Sequence, residues 1–309
     1  MTRPGQSRGP ASGHGWPVHF ALIAVQLGFA LFPIFGKLAL TTIPVLVLAA
    51  LRVIAAALLL EALRRASGCE EVARRDRPAV VLYGILGVGL NQILFIFGLS
   101  LSTAINTTIL GATIPVFTLS AAVLLGRERM TLPAAVGVLL AGAGALLLLD
   151  VHRFDWHSRY ARGNLLLLAS AISYSFYLVL SRPILARYSA LTIVSRVFLY
   201  GAVPIVLIAL PALSRFAPST VTPVSWGSLA AIVAFSTVMP YFANSWALAR
   251  THASRVAFYV FLQPLVASVL AVVVLHESFT AKTAVPALLI LGGLAVSIAL
   301  RPPPARALP

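Results

Sequence analysis

The chain has a single cysteine, Cys69, and only eight acidic residues in 309. One cysteine excludes an intramolecular disulfide and a thiolate zinc site. No GxxxxGK[ST] loop occurs, which argues against ATP-driven transport by this chain, and no HExxH pairs its six histidines for zinc. Charged residues make up 10% of the chain, against roughly 25% in a soluble domain. No carboxylate falls near the centre of a long apolar run, where the proton carriers of pumps are usually found. Long polar segments are missing too. The longest connections between apolar runs are 64–78, 151–162 and 212–225, and none could house a soluble catalytic domain.

Apolar sequence fills the rest. Hydrophobic residues make up 60% and mean hydropathy is +0.96. No soluble fold of this size buries so much apolar surface, so the expected class is an all-α polytopic membrane protein with the lipid bilayer as its main partner. A span needs about 20 mainly apolar residues. Ten such runs are read at 18–38, 43–62, 79–99, 103–125, 132–150, 163–182, 191–211, 226–247, 256–275 and 282–300. They are continuously apolar, whereas barrel strands alternate over about 10 residues. Residues 1–17 read as a disordered cytoplasmic N-terminus, and 301–309 as a Pro-rich cytoplasmic tail.

The formal charge of +15 would suggest nucleic acid in a soluble protein. Here the cations lie in short loops, there is no contiguous basic domain, and no nucleic-acid partner is expected. Fifteen Lys/Arg lie on the face that holds the termini and six on the other. That bias predicts a multi-pass cell-membrane protein with both termini in the cytoplasm. Arg153, Arg159 and Arg162 run against it.

The sequence also repeats itself. At a shift of 149, Pro115 falls on Pro264, Glu128 on Glu277 and Thr131 on Thr280. With a slightly smaller shift, Lys37 pairs with Arg182 and Arg52 with Arg196. The expected organisation is therefore a five-helix unit at 18–150 duplicated at 163–300. An odd number of spans inserts the second copy upside down. Inverted repeats are characteristic of secondary transporters, because exchanging the repeats interconverts two access states.

This ordered set, found twice, resembles the drug/metabolite transporter superfamily and its EamA-type members. It comprises Lys37/Arg182, Arg52/Arg196, Pro115/Pro264, Glu128/Glu277 and a Gly-rich fifth span. The resemblance implies ten helices around a central cavity lined by the first, third and fourth helices of each unit. It also implies transport of small metabolites, often export of amino acids or related compounds. Many members carry Glu before the second proline, where this chain has Gln263.

Polar side chains inside lipid usually face protein or a cavity. The expected substrate-binding set is Asn91, Gln92, Thr113, Tyr174, Tyr177, Asn244, Trp246, Tyr259 and Gln263. The amides suit a zwitterion and the aromatics an apolar body; the same groups also serve as interhelical glue. Pro115 and Pro264 read either as hinges or as static kinks. Arg52, Arg196, Glu128 and Glu277 read as gates or structural charges. The small residues of the fifth and tenth spans suit close helix packing, within the chain or across a dimer. No cofactor and no metal site is expected, and the oligomeric state stays open.

These readings converge on a secondary transporter, rather than an enzyme, that moves small neutral or zwitterionic metabolites such as amino acids by alternating access. Export of lipophilic cations or drugs is the alternative. A non-transporting membrane component or an intramembrane enzyme accounts for less of the sequence.

Overall fold

The structure, a computed structural model, describes residues 16–127, 130–148, 158–185, 187–240, 243, 247, 259 and 262–299. Among them there is no strand. Helices α1 (Trp16–Ala39) and α2 (Val45–Ala66) are followed by α3 (Arg77–Gly84), a π turn at Ile85–Leu90, and α4 (Asn91–Leu101). Then come α5 (Ala104–Gly111), α6 (Ile114–Leu124), α7 (Leu132–Leu148), α8 (Arg159–Leu185) and α9 (Ala190–Leu213). Helix α10 (Pro223–Val233) runs into a second π turn at Ala234–Val238, and α11 (Leu262–Leu275) and α12 (Ala281–Ala299) complete the set.

Six described segments are long and apolar enough to cross a membrane. Leu132–Leu148, Pro223–Val238, Leu262–Leu275 and Ala281–Gly293 are shorter apolar helices. Helices satisfy their own backbone polar groups, which hydrocarbon demands. Their ends are closed by local chemistry. Thr103, Ser189 and Thr222 cap α5, α9 and α10 by accepting the N–H three residues on.

The run expected as one bent span at 103–125 is two helices. Pro115 lies in the first turn of α6, and the chain breaks at Ala112–Thr113. Proline offers no N–H and its ring excludes the carbonyl one turn earlier, so the helix stops before it and restarts with it. At the break the Thr113 hydroxyl (2.5 Å) and its backbone N–H (3.0 Å) both donate to the Leu110 carbonyl.

Small residues let helices meet closely. A Cβ on Gly293 of α12 would lie 2.5 Å from the Gly137 carbonyl of α7, and one on Gly144 would lie 2.8 Å from the Pro286 carbonyl. The Gly-rich fifth and tenth runs therefore pack on each other within the chain. Helix α1 packs against α10 and α11, while α8 packs against α4, α5 and α6. Each opens one half of the chain and sits among helices of the other half. Phe20, Leu58, Leu124, Leu139, Val269 and Leu288 are exposed, an apolar perimeter of the kind lipid covers.

The ends of the bundle differ in chemistry. Glu61, Arg64, Glu71 and Arg196 gather at one end, and Lys37, Ser102, Arg159 and Glu277 at the other. They are called below the Glu61 end and the Lys37 end.

Candidate substrate site

Arg52 sits in mid-α2 and is 4% exposed. Its guanidinium lies 4.2 Å from the centre of the Phe32 ring of α1, and Phe32 stacks on Phe95 of α4 at 4.9 Å. It donates to the Gln92 side-chain carbonyl. It also donates through Nε and a terminal nitrogen to the Thr237 hydroxyl, at 3.3 and 3.2 Å. Amide, hydroxyl and ring face together hold the cation.

The backbone presents these partners through its two π turns. Gln92 follows the first closely, and Thr237 lies inside the second, its hydroxyl donating five residues back to the Ile232 carbonyl (3.0 Å). Their first residues, Ile85 and Ala234, are separated by the same 149 positions as the paired prolines. π turns widen a helix locally and concentrate at functional sites. Ser236, beside Thr237, is buried, and its hydroxyl has no hydrogen-bond partner among the described residues.

A second polar group joins α4 to α8. The Asn91 amide donates to the Ser170 carbonyl (3.0 Å) and hydroxyl (2.8 Å), and that hydroxyl lies 3.1 Å from the Asn91 carbonyl. Further along α8, Tyr174 and Tyr177 have ring centres 5.5 Å apart. Tyr177 lies over Gly87, where a Cβ would come within 2.6 Å of the ring. A third group joins α1 to the chain around α11: Gln263 donates to Gln26, and Tyr259 meets His19. Gln26 is 2% exposed and sequence reasoning passes over it. The criterion that marks Asn91, an uncharged amide in mid-span, would have found it.

The nine expected binding residues thus fall into several places. Gln92 joins Arg52, Asn91 joins Ser170, the two tyrosines of α8 lie side by side, and Gln263 and Tyr259 face α1. Thr113 is buried at the α5–α6 break and turned back on Leu110. Asn244 and Trp246 lie outside the described residues, as does Glu128. Pro264 is buried in the first turn of α11.

The remaining charges lie at the ends. Arg196 pairs with Glu71 (2.6 Å) and reaches Glu61 (3.7 Å). Glu61 in turn holds Arg64 at 2.9 Å. In the adjoining loop the Ser189 amide donates to Glu70 and holds that carboxyl below the usual carboxylate range. At the Lys37 end, Glu277 accepts the first two N–H groups of α5, from Ala104 (2.7 Å) and Ile105 (3.0 Å). A helix N-terminus offers a carboxylate both donors and the positive end of a dipole.

A helical bundle with an apolar perimeter and buried polar groups shared between its halves defines a membrane protein of the transporter type. The sequence matches the EamA-like transporter family over residues 16–150 and 161–299, and the chain belongs to that family. It is 25% identical to the uncharacterized transporter YetK of Bacillus subtilis, over 85% of this chain and 81% of that one. It is 24% identical to an uncharacterized transporter of Archaeoglobus fulgidus, over 74% and 79%. A protein of Streptantibioticus cattleyicolor named a "probable terminal-alkyne amino-acid exporter" is 30% identical over 52% of this chain and 58% of its own. A solved crystal structure, 21% identical, shares the fold with a TM-score of 0.63 over 92% of this chain and 98% of its own. The chain is thus a multi-pass membrane protein of a transporter family, in the drug/metabolite transporter superfamily, and such families act on small molecules.

Proposed function

We propose that the protein is a secondary transporter that exports small neutral or zwitterionic metabolites, amino acids among them, across the cell membrane by alternating access and without chemical change. One observation carries the reading. The buried polar contacts pair residues of the first half with residues of the second: Arg52 with Thr237, Asn91 with Ser170, and Gln26 with Gln263. Glue within one rigid half would not need them. A pathway that opens between two moving halves does, because its polar walls meet when it is closed.

The substrate class follows from the same groups. Arg52 and the Ser236 hydroxyl suit a carboxylate, amides suit an ammonium, and Phe32, Phe95, Tyr174 and Tyr177 suit an apolar side chain. Helices α1 and α8, each seated in the opposite half, support two inverted units at 18–150 and 163–300, and the Lys/Arg bias supports cytoplasmic termini. The amino-acid exporter among the relatives supports the same class.

Counterflow in proteoliposomes tests the reading. Labelled amino acids are expected to exchange against unlabelled ones, and Asn91→Ala, Asn244→Ala and Gln263→Ala to alter half-saturation. Unchanged kinetics in all three well-folded variants would exclude these residues as the site. Exchange of lipophilic cations in place of amino acids would transfer the assignment to that class.

A further inference from the structure

The Lys37 end carries a feature outside the polar groups described above. A cavity of about 370 Å³ opens where α1 turns into α2 beside the end of α4 and the start of α8. Its walls include Lys37, Leu40, Thr41, Val45, Leu101 and Arg159. The two cations come from positions 122 residues apart in sequence and lie within electrostatic range of each other.

Each is held at the cavity by the last turn of α4. Lys37 donates to the Ser102 carbonyl, and Arg159 donates to the Ser100 carbonyl at 2.5 Å. An ammonium has three N–H groups and a guanidinium five, so one carbonyl each leaves most of their donors available. Among the described residues, the acid whose charge acts on Lys37 is Glu277, and its carboxylate oxygens accept from the Ala104 and Ile105 amides. A half-buried ammonium and an exposed guanidinium therefore line a cavity whose other walls are mainly apolar. These cations lie on the face that the cation bias disfavours; Glu277 offsets Lys37 in part, and an anion in the cavity would offset both.

We propose that this cavity is an oxyanion site, with Lys37 and Arg159 as its two clamps and Leu40, Val45 and Leu101 as an apolar flank. The flank suits an amphiphile, so the phosphodiester of an acidic membrane lipid fits the whole cavity, while a free phosphate fits its polar half. Basic pockets between transmembrane helices recognise lipid head groups in this way.

The test is lipid retention by the full-length protein in native mass spectrometry, with phosphatidylglycerol and phosphatidylcholine offered together. Phosphatidylglycerol is expected to be retained preferentially, and Lys37→Gln with Arg159→Gln to lower that preference at least tenfold. Lys282→Gln with Arg215→Gln, two exposed cations expected at the same end outside the cavity, is expected to leave it unchanged. If the double variant does not fold, Leu40→Glu places a carboxylate in the cavity and is expected to abolish the preference with both cations intact. Inorganic phosphate is then titrated against bound lipid. Displacement identifies a free anion as sufficient, lack of displacement identifies the lipid, and either upholds the oxyanion site. Equal retention by the parent and the Lys37/Arg159 or Leu40 variant would overturn it.

Discussion

At the scale of single residues, Arg52 concentrates the physics of the site. A buried guanidinium is tolerated only when it is solvated by the protein, and Gln92, Thr237 and Phe32 do this from three different elements. Hydrogen bonds to a charged group contribute about 1.5–3 kcal/mol each. Arg52→Met is therefore expected to lower unfolding free energy in detergent by about 2 kcal/mol and to abolish exchange, while Arg52→Lys, which loses the fork geometry, recovers stability better than transport. Unchanged exchange in Arg52→Met would remove it from the pathway. Glu277→Ala should cost about 1 kcal/mol through loss of the α5 cap, read by the same unfolding assay. Glu70 gives a pH signature. Its depressed folded pKa means its contribution is present above the unfolded value of about 4.3 and is lost as pH falls through the lower folded value. The melting difference between parent and Glu70→Gln should hold from neutral pH to pH 5 and shrink below about 4.

At the scale of elements, glycine contacts separate packing from tolerance. Gly293→Leu drives a side chain into the α7 backbone and should destabilise by about 2 kcal/mol or more, whereas Gly142→Ala, with nothing within 4 Å, should be neutral. Equal effects would mean that α7 and α12 do not pack as described. The α5–α6 break makes a second case. Pro115→Ala restores the missing N–H and should join the two helices, slowing turnover more than it changes half-saturation if the break moves during transport. How far sequence reads into structure differs between such elements. Hydropathy alone marks the apolar helices, because lipid imposes one requirement on every residue of a span. Pro115 announces a bend, but whether a proline bends or breaks a helix depends on how the preceding turn is held, here by the Thr113 N–H and hydroxyl both donating to Leu110. The π turns carry no local signal, since i to i+5 bonding at Ile85–Leu90 is set by what packs there. Glu277 shows the same limit: its charge and helix-end position are legible, but its partners lie 173 and 172 residues away, and nothing in spacing selects backbone amides over a side-chain cation.

At the scale of the molecule, the account rests on polar contacts shared between two halves that have to part. The resemblance to a transporter family was legible from an ordered motif set present twice, and the family match spans both copies. The substrate was not, because Gln26, Phe32 and Thr237 acquire meaning only when α1, α2 and α10 are brought side by side. The central claim is movement of a small zwitterion between the two faces. Counterflow in proteoliposomes, with pooled labelled amino acids and no imposed gradient, measures that movement directly. Accumulation of label that depends on unlabelled substrate inside, and that is lost in Arg52→Met, is the predicted result. Monodisperse protein that gives no counterflow of any amino acid, alongside an active control carrier, would contradict it.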